Sequence, residues 1–248
     1  MRYFVEIAYK GTAYHGWQIQ KNAISVQGLI NVALGKIIGK VVETVGSGRT
    51  DTGVHAEQQF FHMDLDTPLS PDTIKFKVNN MLPGDIGIKK VIPVKHNQHA
   101  RFDAIERKYQ YRIVRVKDPF IENLCYYYNG SLNVEEMNRA ADLLLNHSNF
   151  QCFSKVRTDV DHFECKITQA EWKEINNLLI FFVSANRFLR GMVRAIVGSL
   201  LDIGSGRNSV VDFQKILESR ERKMAGMSVP ASGLFLTQVH YPQYFFQN

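Results

Sequence analysis

Two periodicities alternate along this chain, and their order points to a mixed α/β architecture. Residues 2–9 alternate, with Tyr3, Val5, Ile7 and Tyr9 on one face, which predicts a half-buried strand. From Ser25, a suitable N-cap, Val26, Leu29, Ile30, Ala33, Leu34, Ile37 and Ile38 recur at helical spacing. Gly28 and Gly35 lower the intrinsic propensity of that helix, so packing must hold it. Short strands follow at 41–45, near 57–63 and within 86–94, with a helix begun by Ser70 and Pro71 before the last of them.

The second half repeats these element types. A strand is expected at 109–116, a helix from Asn133, and a hairpin-like pair at 166–173 and 178–184. Asn133 and Glu136 have capping-box spacing, and Val134, Met137, Ala141 and Leu144 supply a buried stripe. A long helix is expected to carry Phe188, Leu189, Met192, Val193, Ile196, Val197, Leu200 and Leu201, ending before Gly204 and Gly206. On it Arg187, Arg190 and Arg194 would share one face. A helix near 210–219 and a closing strand from Leu234 to His240 complete the pattern. The expected fold is α/β in the α+β sense: two similar halves, a mostly antiparallel mixed sheet and flanking helices. The expected domains are 1–104, carrying the glycine-rich loop described below, and 105–248, carrying the long arginine-bearing helix.

Composition excludes several classes. With 248 residues and 45% hydrophobic content, the chain can bury a core and is neither disordered nor fibrous. Its longest apolar run, Leu178 to Val183, is far short of the roughly 20 residues of a membrane helix. The first residues read as a strand rather than a secretory signal, so a cytoplasmic location with no membrane association is expected. Cys125, Cys152 and Cys165 are widely spaced, without a CxxC pair, and read as free thiols rather than zinc ligands. A net charge of +6 is compatible with a polyanionic partner without requiring one.

One segment stands out chemically: Gly46-Ser47-Gly48-Arg49-Thr50-Asp51-Thr52-Gly53-Val54-His55-Ala56, between two expected strands. Its glycines make sharp turns accessible, and Arg49 lies close to a carboxylate. Taken alone, it also fits a hairpin loop in which Asp51 caps a turn. It fits neither the Walker phosphate loop nor the GxGxxG dinucleotide fingerprint.

The whole string resembles the GRTDxGVHA signature of the TruA family of tRNA pseudouridine synthases, and further stretches resemble that family in the same order. These include Tyr9-Lys10-Gly11-Thr12, Gly16-Trp17-Gln18-Ile19-Gln20, Ser25-Val26-Gln27 and Asn80-Met81-Leu82-Pro83-Gly84-Asp85-Ile86. Ala100-Arg101-Phe102-Asp103-Ala104, Arg107-Lys108-Tyr109-Gln110-Tyr111, Phe188, Met192-Val193-Arg194-Ala195-Ile196-Val197-Gly198 and Pro230-Ala231-Ser232-Gly233-Leu234-Phe235-Leu236 follow. The departures, Ser47 and Thr52 where the family more often has alanine, remove no reacting group.

The resemblance implies the pseudouridine synthase fold and conversion of uridine to pseudouridine in the anticodon stem-loop of tRNA, at positions 38–40. That isomerisation moves the glycosidic bond from N1 to C5 of uracil without a change of oxidation state, so no redox cofactor is called for, and no metal is expected. By resemblance Asp51 is the catalytic carboxylate; it can attack C1′, attack C6, or stabilise a cationic sugar while a 2′ proton is removed. Arg194, in the family-like Met-Val-Arg segment, is the candidate cation beside it, because a desolvated carboxylate needs a partner. Tyr109 matches the tyrosine that packs on the target base and can assist proton movement. Arg49 matches an arginine that helps hold the target nucleotide out of its stem. Gln98, His99, Ala100, Arg101 and Phe102, and Phe153, Ser154, Lys155, Val156 and Arg157, resemble tRNA-facing stretches, with Lys155 and Arg157 as phosphate ligands. His55 is expected to support the loop by hydrogen bonding, and His96 with His99 lacks the partners for a metal site. The family also implies a homodimer. A noncatalytic RNA-binding protein and an aspartate-dependent hydrolase are the alternatives. The first has no use for a carboxylate beside a polyanion, and the second needs a water-activating partner that the sequence does not show.

Overall fold

The computed structural model describes residues 1–156 and 160–246, without the side chain of Tyr244. The chain divides into two compact units, one formed by residues 1–105 and 235–248, the other by residues 106–234. Residues 235–248, expected with the second domain, thus cluster with the first.

The first unit contains β1 (Arg2–Tyr9), α1 (Val26–Ile38), β2 (Thr44–Gly46), β3 (His55–Asp64), α2 (Pro71–Asn79), β4 (Ile86–Val94) and all but the first residue of β9 (Leu234–His240). β1 lies between β4 and β3, antiparallel to both. The other edge of β3 takes β2 antiparallel at Gly46↔Phe61 and β9 parallel at His55↔Phe235. Ser25 caps α1, its side chain accepting from Gly28 N, and the left-handed Gly39 ends it. The expected one-faced burial of β1 needs correction, because Phe4 is as buried as Tyr3, Val5 and Ile7. The rings of Tyr241 and Phe245, 5.5 and 5.0 Å from Phe4, cover the face that alternation assigned to solvent.

The second unit contains β5 (Glu106–Val114), β6 (Tyr126–Tyr127), α3 (Val134–Asp142), β7 (Ile167–Ile175), β8 (Leu178–Ala185), α4 (Met192–Gly204) and α5 (Val210–Ser219). β8 lies between β5 and β7, antiparallel to both, and β6 runs parallel to β5. The β7–β8 hairpin turns at Asn176, whose φ of 54° suits a two-residue turn. Asn133 caps α3 through Glu136 N, but the Glu136 carboxylate pairs with Arg139. The reciprocal capping box is instead at the start of α5, between Ser209 and Asp212. The long helix begins later than expected. Gly191, at φ 74°, is the N-cap of α4, so Phe188 and Leu189 precede the helix. Arg187 and Arg190 therefore do not share a helix face with Arg194.

Within each unit the strands pair mostly antiparallel, with β3–β9 and β5–β6 parallel, and five α-helices lie among the described residues, as expected for a pseudouridine synthase fold. No helix among the described residues is long and apolar enough to cross a membrane.

Candidate active site

In the first unit, Asp51 lies on the loop between β2 and β3, partly buried, with Arg49 exposed. Buried side chains hold this loop through a directed chain of hydrogen bonds. Gln59 Nε2 donates to Gly48 O at 3.0 Å, which turns Gln59 Oε1 toward the Tyr9 hydroxyl at 2.6 Å. Tyr9 spends its proton on that oxygen, so the Thr50 hydroxyl, 2.8 Å away, is the donor between the two. Thr50 Oγ1 in turn accepts from Trp17 N at 3.1 Å. The chain thus pins Gly48 and Thr50, the residues on either side of Arg49, and the second of them precedes Asp51.

Close backbone approach supplies the rest of the grip. A Cβ on Gly16, whose φ is +81°, would lie 2.2 Å from Thr50 O, and one on Gly11 would lie 2.0 Å from Val54 O. Gly53 N donates to Tyr14 O at 3.2 Å, and Val54 N to Asp51 O at 3.1 Å. His55 Nδ1 accepts from Gly11 N at 3.0 Å while its ring stacks on Phe235, so His55 supports the loop as expected. The turn at Gly16 and Trp17 is itself seated on α1: their carbonyls accept from Val26 N and Gln27 N. Gln27 extends that seat, donating to Thr44 O at 2.7 Å and accepting from Ile19 N at 3.0 Å.

In the second unit, Tyr109 stands on β5 opposite Val183, partly exposed, with its ring edge-on to Phe188 at 5.1 Å and 86°. Arg194 lies in the first turn of α4, where its Nε donates to Val229 O at 2.6 Å.

The expected RNA-facing stretches divide by exposure. Ala100, Phe153 and Ser154 are buried, and Phe153 packs on Phe213 at 5.9 Å. Their side chains belong to the core, which leaves the exposed members of the two stretches to present side chains at the surface. Gln98 is committed to shaping its own loop. Its carbonyl accepts from Arg2 Nη1 at 2.8 Å, its Oε1 from Lys95 N at 2.7 Å, and its Nε2 donates to Phe245 O. His99 Nδ1 accepts from Arg101 N and Phe102 N at 3.1 and 3.3 Å. Arg101 and Phe102 remain exposed, with the guanidinium 5.6 Å from the ring centroid. Lys155 and Val156 are also exposed. Arg157 lies outside the described residues.

His62 was not singled out by the sequence. Buried on β3, it accepts from Ala100 N at 3.1 Å and packs against the His99 ring at 4.7 Å. Burial first, then the neighbouring Arg2 guanidinium, brings its pKa down from 6.5 to about 4, which keeps the acceptor nitrogen neutral. Tyr9, Thr50 and Gln59 also escaped sequence reasoning as a group, since only the pairing of β1 with β3 brings them together. The three cysteines are free. Burial pushes the Cys152 and Cys165 thiols up to about 12 and about 11.

Comparison with known proteins agrees over the whole length. A family model described as tRNA pseudouridine synthase matches residues 6–103 and 140–242. A tRNA pseudouridine synthase A of Bacteroides fragilis is 48% identical over 248 residues, covering 99% of this chain and 98% of that protein. One of Porphyromonas gingivalis is 46% identical over 249 residues, covering 99% of each, and one of Geobacillus is 39% identical over 238, covering 95% and 96%. With Asp51 on a braced loop and relatedness from end to end, the chain belongs to the tRNA pseudouridine synthase family.

Proposed function

We propose that this protein converts uridine to pseudouridine in the anticodon stem-loop of tRNA, at positions 38–40, with Asp51 as the catalytic carboxylate. The observation that supports this most directly is the complete Gly-Arg-Thr-Asp-Thr-Gly-Val-His-Ala loop, clamped on both sides of Arg49 by hydrogen bonds of buried side chains. A carboxylate that must meet one carbon of one nucleotide gains from such preorganisation, because fixed geometry removes the entropy of aligning the reacting atoms. RNA binding alone would be weakened by a negative charge at the contact surface, which disfavours the noncatalytic alternative.

In this reading Arg49 occupies the space left when the target uridine is extruded, offsetting part of an unstacking cost of about a few kcal/mol. Tyr109, held by Phe188, stacks on the extruded base, and the Arg194 guanidinium answers the charge of Asp51. Arg101, Phe102, Lys155 and Arg157 are proposed contacts to the RNA backbone and bases. The reaction is redox-neutral and is written without a metal or organic cofactor. The working form is proposed to be a cytoplasmic homodimer.

The test is tritium release from tRNA labelled at uracil C5, comparing wild type with Asp51→Asn and measuring tRNA affinity for both. Expected is release by wild type alone with similar binding by the two. Release by Asp51→Asn at a substantial fraction of the wild-type rate removes Asp51 from its role. Binding by both without release from several tRNAs favours the RNA-binding alternative.

A further inference from the structure

The segment 225–230 crosses α4 in the second unit with more fastening than a connection to β9 requires. Gly226 N donates at 2.8 Å to Ser199 Oγ, a fully buried hydroxyl that itself donates to Ala195 O at 3.0 Å. One residue earlier on the helix, a Cβ on Gly198 would lie 1.8 Å from Met227 O, so the segment rests directly on helix backbone. Arg222 ties the near end, with Nη1 reaching Ala225 O and Gly226 O at 3.2 and 3.1 Å and Nη2 reaching Ser228 Oγ at 3.1 Å.

The far end of the segment meets two residues of the proposed chemistry or their immediate support. Val229 and Arg194 exchange a reciprocal pair: Val229 N donates to Arg194 O at 3.2 Å, and Arg194 Nε donates to Val229 O at 2.6 Å. The next carbonyl, Pro230 O, accepts from the Tyr111 hydroxyl at 2.8 Å. Tyr111 is fully buried and lies two residues from Tyr109 on β5, hence on the same face of that strand.

We infer that the 225–230 segment is a positioning strap for Arg194, and that Ser199 and Gly198 act in the reaction through it by setting the direction of the Arg194 guanidinium. This rests on the reading of Arg194 as the cation that serves Asp51. A guanidinium on a flexible four-bond stem must be held in one plane to address a carboxylate, and an Nε bond to a backbone carbonyl does this only if the carbonyl is fixed. Gly198, one helical turn beyond Arg194, lies on the same face of α4, so the strap is anchored along the ridge that carries the side chain it orients.

The experiment compares single-turnover rate, tRNA affinity and thermal midpoint for wild type, Ser199→Ala, Gly198→Ala and Arg194→Lys, and for each strap variant combined with Arg194→Lys. In the wild-type background both strap variants are expected to slow turnover roughly tenfold to a hundredfold with tRNA affinity unchanged. Combined with Arg194→Lys, which keeps the charge but has no Nε fork, they are expected to add little further loss. Ser199→Ala carries the test if Gly198→Ala does not fold. Equal losses in both backgrounds overturn the strap's action through Arg194. A slow Arg194→Lys beside wild-type rates for both strap variants overturns the strap alone. A wild-type rate for Arg194→Lys overturns the underlying reading, and the strap's role with it.

Discussion

Replacing Thr50 with valine removes one hydroxyl from the brace behind Asp51 while keeping the shape of the side chain. Thr50 Oγ1 is both acceptor from Trp17 N at 3.1 Å and donor to the Tyr9 oxygen at 2.8 Å, and all three residues are buried. Valine leaves the Trp17 amide without an acceptor inside the protein, at a cost of about 1–3 kcal/mol for a buried donor. Tyr9 loses less, because its own proton still goes to Gln59 Oε1. A net destabilisation of about 2 kcal/mol follows, which lowers Tm by about 4–8 °C for a chain of this size. The same loss lets Thr50 drift and carries Asp51 with it, so single-turnover pseudouridylation should fall along with stability. Thr50→Ser retains the hydroxyl and should remain within about 0.5 kcal/mol of wild type. Combining Thr50→Val with Tyr9→Phe should cost less than the sum of the two single changes, since both break one chain. Urea and thermal unfolding give the stabilities and tritium release gives the rate. A Thr50→Val protein as stable and as fast as Thr50→Ser would refute the directed chain as the support of the loop.

Two further predictions address other parts of the molecule. His62 has a folded pKa of about 4 against 6.5 unfolded, through burial and the Arg2 charge, with His99 adding to the lowering and Asp64 and Asp103 opposing it. The unfolded state therefore binds more protons between those values. Stability is fully present above about pH 6.5 and is lost as pH falls toward 4, by on the order of 3 kcal/mol. His62→Gln should flatten that slope in urea titrations from pH 4.5 to 7, and an unchanged slope would remove His62 as its source. Separately, neutralising Lys155 and Arg157 together should weaken tRNA binding and flatten the dependence of log K on log salt by roughly two phosphate contacts. Unchanged affinity and slope would make them bystanders.

Much of the molecule was legible because its determinants are local. The starts of α1, α2 and α3 follow from Ser25, Ser70 with Pro71, and Asn133, and each cap places its side chain on the backbone one turn ahead. The nine-residue signature ending at Ala56 carried the family assignment, which the full-length relatives bear out. The expectation for Asp51 came with that resemblance, since the loop taken alone also fits a turn capped by its aspartate. What sequence could not supply depends on partners distant along the chain. Tyr9 meets Thr50 across 41 positions and Gln59 across 50, and only the register of β1 against β3 puts them in one hydrogen-bonded line. Phe4 is buried on the face that alternation left to water because residues 241–245 return over it. Phe153 and Ser154, in a stretch that resembles a tRNA-facing one, have their side chains in the core, and Gly191 adopts a left-handed conformation that starts α4 after Arg190 instead of before Arg187. Periodicity and caps record which conformation a segment prefers for itself. Which face is covered, and which buried donor finds its acceptor, is decided only when distant segments pack, because those free energies reside in contacts that no single stretch of sequence contains.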